Sequence, residues 1–173
     1  MKTLKVLTVI AALAAVACNP NKANTQNTFC IANLGPEDTE LVLEAANEWH
    51  EKTDGEVNFH FVGGDCNGYD TISNVSDDSL IKENRYAKTV FSPIATTQLV
   101  FDDENMHAVF GDGYSDMYRA TVMHEMGHFL LASHFGIGWH SHVEGDIMKV
   151  GHYNHGVFHL SDHDIANFHE AQE

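Results

Sequence analysis

The stretch HEMGHFLLASH, residues 124–134, decides how the rest of the chain is interpreted. His124 and His128 are four residues apart, so on a helix both imidazoles lie on one face, one turn apart. Two imidazoles in that arrangement can share a metal ion, and Glu125 brings a carboxylate beside them without being a ligand. The spacing H-E-x-x-H therefore predicts a zinc site on a helix, with Glu125 as general base toward a water molecule.

A catalytic zinc site of this kind needs a third protein ligand and one open coordination position. His134 follows His128 by six residues, which lets the helix end and the chain turn back toward the metal. Glu144 is the rival, but the surrounding HVEGDIM contains glycine and lacks helical periodicity, so no helix presents this carboxylate. We therefore expect His124, His128 and His134 to bind one zinc ion.

The pattern resembles the signature of the metzincin zinc endopeptidases, H-E-x-x-H-x-x-G-x-x-H followed by a methionine-containing turn. DIM, residues 146–148, resembles that turn, which implies that Met148 lies beneath the metal as a structural floor. FHLSDHDI (158–165) is similar to the F-R-L-S-x-D-D-I pattern of the matrixin family, and VFDDENM (100–106) to an acidic stretch in the same family. The resemblance implies a zinc-dependent endopeptidase that acts on peptide or protein substrates.

The chain departs from this signature at two places. Leu131 occupies the glycine position, where a positive φ turns the chain toward the metal; either the leucine is strained, or the helix continues and turns at 132–133. Val100 replaces the histidine that matrixins have before the acidic stretch, so we expect no second zinc. Within that stretch, Asp102 and Glu104 are candidate calcium ligands, and the alternative is a solvated acidic loop.

Periodic patterns along the chain predict an α+β domain. One helix begins at Pro36, with acidic residues in its first turn, and a second covers 116–133 and contains the zinc motif. Ser161 and Asp164 form a capping box that begins a closing helix. Strands are expected at 28–34, 57–62, 87–91 and 96–101, with a short one at 107–110, and 63–79 is expected to be a loop.

The resemblance implies a zincin-like, metzincin-type catalytic domain at 28–173. Its upper part (28–135) would hold a small mixed sheet with two main helices above the cleft. Its lower part (136–173) would be irregular and end in a C-terminal helix. A substrate would lie extended along an edge strand, for which 96–101 and 107–110 are the candidates.

The N-terminus predicts export. Lys2 and Lys5 precede an uncharged apolar run, which is typical of a signal peptide (1–17) and is too short for a membrane-spanning helix. The run ends in AVAC, which resembles the lipobox of bacterial lipoproteins. This resemblance implies that Cys18 is lipidated and that a polar tether (18–27) follows. The alternative is cleavage near Ala17 and a secreted or periplasmic soluble protein.

Cysteine content and net charge indicate the compartment and the classes of binding partner. Cys30 and Cys66 can form a disulfide in an oxidising compartment, although the sequence does not show that they meet. With 25 Asp and Glu against 9 Lys and Arg, the net charge is −16, and the chain has no basic cluster, which disfavours nucleic acid as a partner. We expect a bacterial envelope protein that contacts a membrane through its lipid anchor alone.

Two other functions stay open from the sequence. The first is a non-catalytic zinc-binding envelope lipoprotein that uses the same three histidines together with the histidine-rich C-terminal region. The second is an inactive peptidase relic that binds peptides, which is suggested by Leu131. Glu125 discriminates against the first, because metal storage does not need a base beside the ligands.

Overall fold

A five-stranded mixed sheet forms the upper part of the computed structural model, which describes residues 25–75, 80, 85–92 and 96–173. The strand order is β2-β1-β3-β5-β4, with β4 antiparallel to β5 and the other neighbours parallel. β4 therefore forms one edge of this sheet. The strands are β1 (Thr25–Ala32), β2 (Val57–Val62), β3 (Asp70–Asn74), β4 (Ala87–Val90) and β5 (Gln98–Phe101).

Helices α1 and α3 pack against each other and share one hydrophobic core with the sheet. The indole N–H of Trp49 on α1 donates to the carbonyl of Met123 on α3 over 3.1 Å, so the two helices are also joined by a buried hydrogen bond. The α-helices whose bounds lie within the described residues are α1 (Pro36–Lys52), α2 (Asp103–Phe110), α3 (Tyr114–Phe135) and α4 (Asp162–Glu170), and short 3-10 helices cover Gly111–Gly113 and His152–His155.

A buried polar network fixes the beginning of α3 relative to α1 and β3. Asp38 accepts hydrogen bonds from the Tyr114 hydroxyl (2.6 Å) and from the Asn74 side-chain amide (2.7 Å). The Tyr118 hydroxyl donates to the side-chain Oδ1 of Asn74 over 2.7 Å. Because buried polar groups are costly unless they are paired, this network favours one orientation of the helix that contains the zinc motif.

The sequence-based elements match the structure best where periodicity is strong. The helix from Pro36 and the strand at 57–62 are confirmed. The loop expected at 63–79 is wrong in part, because β3 lies within it. This strand has a single fully buried apolar residue, Ile72, so its sequence shows no apolar alternation that would predict a strand. The strand expected at 107–110 is also wrong. Those residues belong to α2, which Asp102 caps by accepting from the Asn105 N–H over 3.1 Å.

The edge available to an extended ligand also differs from the sequence-based expectation. Residues 98–101 form β5, which lies between β3 and β4, so its backbone groups are already paired on both sides. The outer strand on that side is β4, with the sequence AKTV. A peptide that adds to the sheet there would pair with β4 rather than with 96–101 or 107–110.

Cys30 on β1 and Cys66 in the loop after β2 are joined by a disulfide, the outcome that the sequence had left open. Strand β1 begins at Thr25, so the last residues of the expected tether belong to the sheet. The predicted signal peptide and Cys18 lie outside the described residues. Within the described residues, no helix is both long enough and apolar enough to cross a membrane.

Candidate metal centre

Helix α3 continues well past the position where the signature would end it. Leu131 is 1% exposed and packs in the hydrophobic core, so the helix gains apolar burial by including it. The helix ends at Gly136, whose φ of 90° suits glycine and whose N–H donates to the Ala132 carbonyl over 3.1 Å. Leu131 is therefore an ordinary helical residue, and the turn comes later than 132–133.

His134, the predicted third ligand, does not lie with His124 and His128 in this geometry. Six helical residues rotate a side chain by roughly 240° around the axis, so His134 faces away from His128 while the helix lasts. The imidazole of His134 is 40% exposed, and its Nε2 lies 3.9 Å from Glu170 on α4. It therefore contacts the closing helix instead of the other two histidines.

His140 takes the place expected for His134. After the glycine that ends α3, the chain folds back and brings the His140 ring to 4.7 Å from the His128 ring and 5.3 Å from the His124 ring, between centroids. One nitrogen from each of these three histidines lies within 4.8 Å of the other two. Among the described residues, this is the one group of three or more His, Cys, Asp or Glu side chains that are spaced to hold a metal ion.

The turn that contains Met148 orients the ring of His124 through a hydrogen bond to its Nδ1. Its Nδ1 lies 2.7 Å from the Ile147 carbonyl, to which it donates in the neutral tautomer, so that Nε2 keeps its lone pair for a metal. The Ile147 and Met148 N–H groups both donate to the Asp164 carboxylate, over 2.9 and 3.2 Å. Asp164 is also the third residue of the capping box with Ser161, as predicted from the sequence. The beginning of α4 therefore holds the turn that orients His124.

Met148 is fully buried against the face of α3 between the two histidines of the motif. A Cβ atom added at Gly127 would lie 2.1 Å from the Met148 sulfur, a distance that no real contact allows. Glycine is therefore needed at position 127 for close packing of the methionine against the helix.

Burial keeps the three imidazoles neutral. Desolvation, followed by the neighbouring His128 and His152, holds the pKa of His124 well below its usual range. Desolvation and then His140 lower the pKa of His128 to about 4, and desolvation also lowers the pKa of His140. Metal ions bind the neutral ring, so the site is prepared to bind one at pH 7.

Glu125 lies in the same cleft and is held by the edge strand. Its carboxylate is 5% exposed and accepts a hydrogen bond from Thr89 Oγ1 on β4 at Oε2, over 2.6 Å. Burial raises the pKa of Glu125 to about 7, while the Thr89 hydrogen bond and the charge of Arg85 act in the opposite direction. A carboxyl with this pKa can both accept and release a proton near neutral pH.

The cleft around these groups has a volume of about 450 Å³. Helix α3 forms its floor, β4 forms one wall, and the segments after α3 and after Met148 form the other. Two exposed apolar side chains of that second wall, Ile137 and Val150, line the opening. His152 is buried in the same wall with its ring centroid 5.3 Å from that of His124.

The remaining predicted site residues lie elsewhere. Asp102 is a buried helix cap and Glu104 is exposed, and neither belongs to the group spaced for a metal, so calcium at these positions has no support in the structure. Glu144 is exposed and pairs with Lys149 and His155. The hydrogen bond from Lys149 lowers the pKa of Glu144.

Sequence reasoning included His140 and His152 only in the histidine-rich C-terminal region of the alternative function, and it missed Thr89. A signal for His140 was present, because Gly136 is the first glycine after Gly127 and helices commonly end at glycine. The chain then reaches His140 four residues later. Thr89 and His152 carry no local signal, since they come to the site through sheet pairing and through the loop after Met148.

The sequence matches no protein-family model and no curated protein. Among solved structures, the chain is similar to an archaemetzincin from Methanopyrus kandleri, with a TM-score of 0.56 and 11% sequence identity. The match covers 90% of this chain and 99% of that chain. The likeness shows a mixed α/β fold with a five-stranded sheet and few helices, close to the archaemetzincin fold. The finer resemblance to matrixins stays a prediction.

Proposed function

We propose that this protein is a zinc-dependent peptidase with His124, His128 and His140 as the metal ligands. The observation that carries the proposal is the position of Glu125, a buried carboxylate in the same cleft as three neutral imidazoles. Keeping a carboxylate there is costly, as its raised pKa indicates, and binding a metal does not need it. The fold likeness to an archaemetzincin supports the proposal.

The donor set suits zinc. Three neutral imidazoles leave one open position in a tetrahedral site, and buried His–carbonyl pairing of the kind seen at His124 is usual behind a zinc ligand. A zinc ion bound there supplies a Lewis acid that polarises a water molecule and the substrate carbonyl.

Glu125 acts as the general base in this proposal. Thr89 occupies Oε2, which leaves Oε1 to accept the proton of the attacking water. The same carboxyl then returns the proton to the leaving amine, a double role that suits a pKa near neutrality. Thr89 is a positioning residue here, because it acts through the carboxylate that it holds.

The substrate is proposed to bind as an extended strand along β4. This edge strand forms a wall of the cleft and carries Thr89, so a peptide paired with it passes directly over Glu125. Apolar side chains of the substrate would contact Ile137 and Val150 on the opposite wall.

The test is cleavage of a broad peptide library by the zinc-loaded wild type and by Glu125→Ala. The variant keeps all three imidazoles, so we expect it to retain zinc and to lose about 10²–10⁴-fold in kcat/KM. Glu144→Ala, which removes an exposed carboxylate outside the cleft, is the matched control and should retain activity. A wild type that binds zinc but cleaves nothing would favour the non-catalytic zinc-binding lipoprotein instead.

The hypothesis of an inactive peptidase relic is no longer supported, because it was suggested only by Leu131. The leucine is helical and buried, so the third ligand comes from a later turn rather than from a strained one.

We further propose that the protein is exported to a bacterial envelope and anchored through Cys18. The Cys30–Cys66 disulfide supports an oxidising compartment. Mass spectrometry of the mature N-terminus provides the test. Acylated Cys18 is expected, and an unmodified terminus at another residue would favour the secreted or periplasmic soluble form.

A further inference from the structure

Two cationic side chains lie among the described residues of one cleft wall, in a strongly acidic protein. Arg85 and Lys88 both line the cleft, and Glu125 is the one carboxylate among its described lining residues. The chain as a whole has 25 acidic residues against 9 basic ones, so this wall differs in sign from the average surface. An anionic group would meet unfavourable charge over most of the molecule and favourable charge at the cleft.

The other Lys and Arg side chains in the described part of the chain do not line the cleft. Arg119 forms a 2.9 Å ion pair with Glu48, Lys149 pairs with Glu144, and Lys52 lies at the end of α1. None of these three lines the cleft, and the two residues that do are three positions apart on and before β4.

Arg85 lies two residues before β4, at one end of the strand along which the substrate is proposed to bind. Its backbone N–H donates to the Leu80 carbonyl over 2.9 Å, and its side chain is exposed. Arg85 lines the same cleft as Glu125 and His140. A substrate group bound by Arg85 would therefore lie in the same cleft as Glu125 and the three histidines.

We propose that Arg85 determines specificity by binding a carboxylate of the substrate next to the scissile bond. This inference rests on the proposed peptidase function. A guanidinium matches a carboxylate with two parallel hydrogen bonds, which a lysine cannot reproduce. Lys88 adds charge to the same wall. The carboxylate has two sources, an Asp or Glu side chain or the C-terminus of a short peptide, and the experiment distinguishes them.

The experiment measures kcat/KM for matched peptides on the zinc-loaded protein. One pair carries Glu or Gln beside the scissile bond, and the other ends there in a free or an amidated C-terminus. For wild type we expect the charged member of one pair to be preferred by roughly 10- to 100-fold, the range of a charge-assisted hydrogen bond. The pair that shows the preference identifies the source of the carboxylate.

Arg85→Gln should bring that preference ratio close to 1, and Arg85→Lys should restore only part of it. Lys52→Gln removes the same charge far from the cleft and should leave the ratio as in wild type. Loss of activity on all peptides alike, with the ratio unchanged, would overturn the inference, because Arg85 would then act on Glu125 rather than on substrate.

Equal cleavage of charged and neutral peptides by wild type would also overturn the inference, while the peptidase function would stand. A zinc-loaded wild type that cleaves no peptide would remove the proposed function and this inference with it. These two failures are separated by activity on the neutral peptides.

Discussion

Residues 124–128 and residues 131–135 lie in the same helix, and both contain histidines of the predicted zinc signature, yet only those of the first group belong to the three-histidine cluster. His124 and His128 point into the cleft, whereas His134 contacts Glu170 on α4. The difference is the burial of Leu131, which continues the helix and rotates the next histidine away. The spacing of a motif therefore predicts a complete set of metal ligands only when the position at which its helix ends is also known.

The largest expected effect on stability comes from a substitution in the second group, Leu131→Gly. Leu131→Gly places glycine inside a helix, at about 1 kcal/mol, and deletes a buried side chain, at about 2–5 kcal/mol. We expect the free energy of unfolding to fall by about 3–6 kcal/mol in denaturant titration. Ser133→Gly, an exposed position in the same helix, is the control and should cost less than about 1 kcal/mol. A neutral or stabilised Leu131→Gly would mean that the helix ends at the position of the signature glycine.

A smaller effect should come from the first group, at Glu125, in protein from which zinc has been removed. The carboxyl is protonated in both states below pH 4.5, while above pH 7 the folded state holds a buried charge. Its cost to stability therefore grows as pH rises from 4.5 to about 7. Glu125→Gln keeps an acceptor for Thr89 without this cost. It should be more stable than wild type by up to about 3 kcal/mol at pH 8, with the difference vanishing near pH 4.5.

A measurement of chemical denaturation at several pH values checks this prediction. If the two metal-free proteins differ by the same amount at pH 5 and pH 8, then ionisation of Glu125 is not the cause of the difference.

The smallest effect tests the contact beneath the first group. Gly127→Ala should improve helix propensity by about 1 kcal/mol, but the added methyl group would collide with the Met148 sulfur. We expect the collision to dominate and the variant to be destabilised by about 1–3 kcal/mol. Gly127→Ala should cost less stability when it is added to Met148→Ala than when it is made in the wild type, because the sulfur is then absent. Additive effects in this cycle would show that the two residues do not touch.

The parts of the fold that the sequence predicted are those with strong local patterns. The helix from Pro36 has a proline and acidic residues in its first turn and an apolar face, and the strand at 57–62 alternates in sequence. Strand β3 and helix α2 were missed because each has one buried apolar residue, Ile72 or Met106, and depends on its neighbours for its structure.

The site was predicted only in part, for a related reason. His124, Glu125 and His128 lie within one helical turn, so their relative positions follow from helix geometry alone. The third histidine depends on where α3 ends, which is decided by tertiary burial of Leu131 and by Gly136. Thr89 reaches Glu125 through a sheet edge 36 residues earlier in the chain, and no local pattern reports such a contact.

Zinc content of His140→Ala and His134→Ala, purified in parallel with wild type and measured by elemental analysis, tests the central claim most directly. We expect one zinc per chain in wild type and in His134→Ala, because His134 lies outside the three-histidine group and contacts Glu170 and Phe135 instead. We expect little or no zinc in His140→Ala, which removes one of three ligands. Zinc retained in His140→Ala and lost in His134→Ala would contradict the assignment and restore the spacing of the metzincin signature.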